Sequence, residues 1–206
     1  MLQAVESGAS DGQFAIWEAP RPIVVLGRNN APDQWVDEDA CRRDGIDVLR
    51  RCSGGGAVVL GHGCVNYAVA MPFVSRPELV DVAASVRFVL RHIVEALGVP
   101  GLRMAGSADL AIGGRKVSGN AQRRGRSAFL QHGTLLYDFD PQLATSYLRE
   151  PRRQPAYRRG RSHDQFVTNL PVARAIAGRA LAQACTVLVV SSQRGCSRPE
   201  HMPSRS

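Results

Sequence analysis

Gly113–Gln122 reads GGRKVSGNAQ, and this stretch sets the frame for the rest of the chain. Two consecutive glycines supply the positive φ that a type I′ turn needs at both central positions. Ile112-Gly113-Gly114-Arg115 is therefore predicted to be a tight hairpin, with Asp109–Ile112 as the incoming strand and Lys116–Ser118 as the outgoing one. Lys116 then stands at a strand start, and Gly119 just beyond lets a ligand or another backbone approach closely. Lys116 is also the single lysine of a chain with 25 arginines. An ammonium is a compact, mobile point charge that can follow a phosphate or carboxylate oxygen through a reaction, which a flat guanidinium does less well. Composition alone leaves a chance survivor in an arginine-rich chain equally open. The glycine-rich neighbours favour function.

Working outward, Pro22–Gly27 and Ile46–Arg51 read as strands. The segment between them, Asp33–Arg43, is acidic early and basic late, which suits a helix stopped by Gly45. Cys52-Ser53-Gly54-Gly55-Gly56-Ala57-Val58-Val59-Leu60 follows. Its three glycines leave backbone N–H groups free to surround an anion, with Arg51 at the edge. Glycine-rich β connections are also common without any ligand, and this one fits neither the P-loop nor the dinucleotide pattern. Gly61–Cys64 is a second glycine turn, in which His62 faces either a ligand or solvent, and Val65–Met71 is a strand. Ser75–Gly98 is the clearest helix. Ser75 and Glu78 form an S-x-x-E capping box, and Leu79, Ala83, Val86, Leu90, Ile93 and Leu97 form its apolar stripe. His92 lies off that stripe.

Beyond the hairpin, Arg123–Arg126 reads as a basic turn and Ala128–Tyr137 as a long strand interrupted by Gly133. Antiparallel pairing could set His132 of that strand beside Lys116; a core histidine is the commoner reading. The proline- and arginine-rich run 151–162 is expected to be a surface loop, either simply solvated or docking an acidic partner. Pro171–Cys185 reads as a short helix. The first 20 residues show little pattern beyond a short strand at Trp17-Glu18.

The 206 residues, 44% hydrophobic, can bury a core as one domain, expected over residues 1–190 with a disordered tail over 191–206. No run of about 18 apolar residues is present, and the N-terminus has no secretory pattern, so a cytoplasmic protein off the membrane is expected. Five cysteines without metal spacing read as free thiols. The net charge of +8 invites an acidic partner, yet the arginines are scattered and aromatics are only 6%, which argues against a nucleic-acid platform.

Taken in order, Arg50–Val58, Gly114–Gln122 and His132–Leu136, with Asp109 seven residues before the lysine, resemble the lipoate–protein ligase family from about Trp17 to Leu170. The resemblance implies an α/β (α+β) fold. Its mixed, largely antiparallel sheet is packed by helices, as in biotin ligase catalytic domains and class II aminoacyl-tRNA synthetase cores. It implies a two-step ligase, in which lipoate is activated by ATP to lipoyl-AMP and the lipoyl group passes to a lysine of an apo lipoyl domain. Acceptors would be the E2 subunits of 2-oxoacid dehydrogenases or the glycine cleavage H protein.

By the same resemblance Lys116 is catalytic. Arg51, Ser53, Gly54, Gly55, Gly56, Ala57, Val58 and Val59 hold the adenylate and the lipoyl chain, together with Ser118, Gly119 and His132. Asp109 binds Mg²⁺ or positions the lysine loop. The chain departs from the family in having Leu60-Gly61 where a His-Asp pair is usual. Only Leu2–Glu6 stands as a remnant of the family's first helix, so the N-terminus is expected to be truncated. A C-terminal accessory domain is absent, so a separate accessory subunit is a further expected partner. One alternative is an octanoyltransferase that carries the acyl group from acyl carrier protein as a cysteine thioester. Residues 104–115 and 147–165 hold no cysteine, so Cys64 would have to serve. A lipoyl-binding subunit without chemistry is another alternative. A biotin ligase fits less well, because RRGRS at 123–127 follows the lysine where that family has its loop before it.

Overall fold

The most deeply buried strand of the large sheet is Cys64–Pro72, whose residues are buried on both faces from Cys64 to Met71. The computed structural model describes residues 1–151 and 154–193. In chain order these form α1 (Leu2–Glu6), β1 (Gln13–Glu18), β2 (Ile23–Leu26), α2 (Glu38–Arg43), β3 (Asp47–Arg50), β4 (Ala57–Leu60), β5 (Cys64–Pro72) and α3 (Val82–Leu97). There follow β6 (Arg103–Ala105), β7 (Asp109–Ile112), β8 (Arg115–Arg124), β9 (Ala128–Leu136), α4 (Pro141–Tyr147), α5 (His163–Phe166) and α6 (Arg174–Gln193).

Six strands make one sheet in the order β1-β5-β9-β8-β7-β6, and every pairing in it is antiparallel. Three more make a small sheet, β3-β2-β4, with β2 parallel to β3 and antiparallel to β4. This is the expected mixed fold. Helices α3 and α6 lie together on the large sheet, and Val86, Val89, Leu90, Ile93, Leu181 and Leu188 meet Tyr67, Val69, Met71 and Phe129 in the main core. A second core joins the small sheet to α2 and α4 through Val24, Leu26, Val59, Leu60, Phe139 and Tyr147. The cleft between the two cores is where the functional groups collect.

Several elements differ from their sequence reading. The expected helix over Asp33–Arg43 is split. A 3-10 turn spans Pro32–Gln34, and α2 starts afresh with Asp37 as N-cap, its Oδ1 accepting from Ala40 N at 2.9 Å. Between them Val36 bridges to Leu148, which holds the chain extended and interrupts the helix. Ser75 and Glu78 do not cap a helix either. Pro77–Val80 is a 3-10 turn, and α3 begins at Val82 under Asp81, whose Oδ1 accepts from Ala84 N at 2.7 Å. Ala83 is exposed, and the buried stripe runs through Ser85, Val86, Val89, Leu90, Ile93 and Leu97.

The N-terminal residues form α1, and β1 is longer than Trp17-Glu18. Strand β8 runs past Gly119 to Arg124, absorbing half of the expected basic turn, and Gly133 sits inside an unbroken β9. Helix α6 extends past Cys185 to Gln193, so Ser191–Gln193 are helical; the rest of the expected tail lies outside the described residues. Arg174–Ser191 is long and apolar enough to cross a bilayer, but one of its faces, with Ala177, Leu181 and Leu188, is packed in the main core.

Candidate active site

The Gly-Gly turn has φ of 56° at Gly113 and 74° at Gly114, the double positive φ expected of type I′. It pairs β7 with β8, with an irregularity between Leu110 and Ala111. Lys116 is the second residue of β8, and its Nζ lies 2.7 Å from Oδ1 of Asp109 on the facing strand. The side chain lies across Gly119, where an added methyl would stand 3.0 Å from both Cε and Nζ. Glycine there is thus the floor on which the lysine rests.

Two adjacent arginines brace the glycine-rich loop between β3 and β4, Arg50 through the segment after β2 and Arg51 directly. Arg50 Nη1 donates to the carbonyls of Gly27, Arg28 and Asn30 at 3.0, 2.9 and 2.9 Å. Arg51 turns inward, with Nη2 donating to Gly54 O at 2.7 Å and Gly56 O at 3.0 Å, and Nη1 to Val25 O at 3.3 Å. Asn30 Nδ2 takes Gly55 O at 2.6 Å, and Arg28 N takes Ser53 O at 2.8 Å. The loop's carbonyls are therefore consumed. The N–H groups of residues 52–56 have no acceptor among the described residues, a backbone arrangement of the kind that can surround an anion. Arg51 still lines the cavity, but its guanidinium serves mainly to shape the loop and only secondarily to meet a ligand. Packing adds to this, since a methyl on Gly56 would fall 2.4 Å from the Trp35 ring.

Ser53, buried under the loop, receives Arg51 Nε at 3.2 Å and contacts His132 Nε2 at 2.6 Å. The imidazole tautomer sets the direction of this bond: with the ring proton on Nδ1, the Ser53 hydroxyl donates to Nε2. Burial, and after it the nearby Arg51 charge, lowers the His132 pKa from 6.5 to about 4, so the ring is neutral. His132 pairs with Ala121 and Ala68, not beside Lys116, because β8 runs antiparallel past it to the Asn120↔Gly133 register. Loop, histidine and lysine nonetheless face one space.

That space is a cavity of about 710 Å³. It is lined by Arg51, Gly55–Val59, Asp109, Lys116, Ser118, Gly119 and His132 of the expected set. Ser53, buried, and Gly54, exposed, belong to the same loop but are not on the lining. The sequence reading missed Trp17, Trp35, Asn120 and the segment that closes the far side, with Pro155, Arg158, His163 and Phe166. Asn120 carried a signal, for it lies within the quoted stretch; its amide bridges Tyr67 OH (2.7 Å), Ala108 O (2.8 Å) and Ser118 Oγ (3.0 Å). The run 151–162 is not merely solvated. Its Arg158 is 3% exposed and paired with Glu150, and Tyr157 OH donates to Asp109 Oδ2 at 2.7 Å. Residues 152 and 153 lie outside the described part.

Asp109 thus has one oxygen on Lys116 and the other on Tyr157. That arrangement suits the positioning role. No group of three or more His, Cys, Asp or Glu that could hold a metal occurs among the described residues. Cys64 does not fit a nucleophile. It is fully buried off the cavity, burial pushes its thiol up to about 12, and no base adjoins it. His62 stands outside the lining as well, near Tyr137.

A model of the family described as "Lipoyl protein ligase A/B catalytic domain" matches residues 1–185. The chain belongs to this family. Lipoate-protein ligase LplJ of Bacillus subtilis is 29% identical over 128 residues, covering 61% of this chain and 37% of that protein. A Mycoplasma pneumoniae protein named probable lipoate-protein ligase A is 30% identical over 148 residues, covering 72% and 43%. The chain therefore spans less than half the length of these relatives. Among solved structures, a bipartite lipoate protein ligase studied with its E2 lipoyl domain from Thermoplasma acidophilum superposes with a TM-score of 0.74 at 19% identity, covering 94% of this chain and 82% of that one. A T. acidophilum protein with bound lipoic acid gives 0.74 at 18%, covering 94% and 84%. A lipoate-protein ligase A bound with ATP gives 0.72 at 19%, covering 94% and 84%. At these identities the structures share the lipoyl ligase fold with this chain.

Proposed function

We propose that this chain is the catalytic domain of a lipoate–protein ligase, spanning residues 1–190 and working in the cytoplasm. The lipoate carboxylate attacks the α-phosphate of Mg-ATP, forming lipoyl-AMP and releasing pyrophosphate. The ε-amine of a lysine on an apo lipoyl domain then attacks the acyl carbonyl, and AMP leaves. Mg²⁺ enters with the nucleotide as part of that substrate. The observation that carries the reading is the juxtaposition of a single mobile cation, Lys116, with a loop of open N–H groups on one cavity. Negative charge grows on the phosphate and acyl oxygens in both steps, and preorganised donors and a mobile ammonium answer that need.

Family membership supports the reading, as do the related folds described with lipoic acid, ATP and an E2 lipoyl domain. The apolar side of the cavity, with Ile23, Val25, Val58, Leu136 and Phe139, suits an acyl chain. Acceptors are the lipoyl domains of 2-oxoacid dehydrogenase E2 subunits and the glycine cleavage H protein, and a separate accessory subunit completes the assembly. The test is intact mass spectrometry of an apo lipoyl domain incubated with the protein, lipoate and Mg-ATP. A lipoyl-sized gain that requires ATP is expected. No gain, together with no pyrophosphate, overturns the proposal.

A further inference from the structure

The far wall of the cavity is made by a strap from residue 154 to 167 that crosses the β7–β8 hairpin. It is fastened at several points. Arg161 Nη2 donates to Gly114 O at 2.8 Å, and Arg115 Nη2 donates to Asp164 O at 3.0 Å and Val167 O at 2.6 Å. Thr168 N donates to Lys116 O at 2.8 Å, so the strap's end is bonded to the lysine's own backbone. Arg158, nearly fully buried, pairs with Glu150 and donates from Nε to Arg161 O at 2.8 Å. Tyr157 sits on a 3-10 turn, Ala156–Arg158, with its ring 5.0 Å from that of Phe166. None of these attachments needs the tyrosine hydroxyl. Among the described residues that hydroxyl has one partner, Asp109 Oδ2 at 2.7 Å, while Asp109 Oδ1 meets Lys116 Nζ at the same distance.

We infer that Tyr157 is a positioning residue for Lys116, acting through Asp109. This inference rests on reading Lys116 as the cation that meets the acyl and phosphate oxygens. A carboxylate left to itself can rotate and grip an ammonium with both oxygens, and in a partly enclosed site that grip is strong. The Tyr157 hydroxyl occupies one oxygen, stops the rotation and draws off part of the negative charge. Lys116 is thereby held at one oxygen, in one direction, and can leave it when a substrate oxygen arrives. Because the tyrosine rides on the strap, the lysine is set in its working place only when that wall of the cavity is seated. Nothing in the run PRRQPAYRRGRS marks the tyrosine out locally; its partner lies 48 residues away.

The test is Tyr157→Phe, which keeps the ring against Phe166 and removes the hydroxyl alone. With lipoate and Mg-ATP, kcat for pyrophosphate release should fall about tenfold while both KM values stay within about twofold. In an Asp109→Asn background the same substitution should add less than about a twofold loss, because the group it acts through has changed. An undiminished tenfold loss there, or a rise in KM with kcat preserved, overturns the inference. A second arm needs no turnover. With one lysine in the chain, ¹⁵N-lysine labelling gives a single side-chain resonance from Lys116. That resonance should move in Tyr157→Phe, and an unmoved one overturns the inference. Wild-type protein that releases no pyrophosphate refutes the ligase reading instead, while the resonance still decides the role of the tyrosine.

Discussion

Lys116 and His132 carry the residue-scale argument, since each is defined by what its environment does to a proton or a charge. Lys116→Arg keeps the charge but cannot rest over Gly119 with a single contact to Asp109, because the guanidinium is a wide, flat fork. Adenylate formation should fall by at least about 100-fold, with a melting temperature within about 2 °C of wild type. A variant turning over at near the wild-type rate would remove the reason for the lysine. His132 bears on stability. The unfolded chain takes up a proton near pH 6.5 and the folded one only near pH 4. The stability is therefore complete above pH 6.5 and is lost as the pH falls towards 4, by roughly 3 kcal/mol in all. Denaturation curves collected across that window should be steeply pH-dependent in the wild type and flatter in His132→Gln. Equal slopes would show that the imidazole is not held neutral. Lys116 was legible in the sequence because it is unique there. The neutral state of His132 was not, because it arises first from burial in the fold and then from the charge of Arg51, about 80 residues away in sequence.

At the scale of elements, ends proved harder to read than identities. The hairpin was legible from Gly113-Gly114 alone, since few other dipeptides accept two positive φ values. The buried face of α3 was legible from its spacing, apart from Ala83. Its start was not, because Ser75 and Asp81 both offer a capping oxygen and only tertiary packing of the Pro77–Val80 turn chooses between them. Asp81→Ala should therefore cost about 1 kcal/mol in chemical denaturation, and Ser75→Ala less than about 0.5 kcal/mol. The reverse ranking would restore the earlier start. The glycine-rich loop teaches a related lesson. Its glycines suggested open N–H groups, but its carbonyls are captured by Arg51, Asn30 and the Arg28 backbone N–H, contacts that tie the loop to the segment after β2.

The whole molecule is two cores with a cavity between them, and the sequence contains both of its tryptophans, Trp17 and Trp35, on the lining of that cavity. Lipoate should accordingly alter most of the intrinsic tryptophan emission, and the Trp17→Phe/Trp35→Phe pair should abolish the signal while sparing the fold. Saturable changes that survive in Trp35→Phe alone would place the ligand towards β1. The overall architecture was legible through the family resemblance of the motifs; the order of strands and helices agreed with a helix-backed sheet without specifying its topology. The strap over 154–167 was not, because a proline- and arginine-rich run looks the same whether it is solvated or folded back over a site. The scarcity of lysine has a last consequence at this scale. An acyl-adenylate is an indiscriminate acylating agent towards amines, and any molecule that escapes first meets the surface of the protein that made it. Along these 206 residues every Lys/Arg cation but one is a guanidinium, which resists acylation, and the one ε-amine is ion-paired with Asp109. Under the proposed ligase chemistry this arginine-rich composition would protect the chain from an escaping acyl-adenylate, leaving the acceptor's lysine as the amine that is modified.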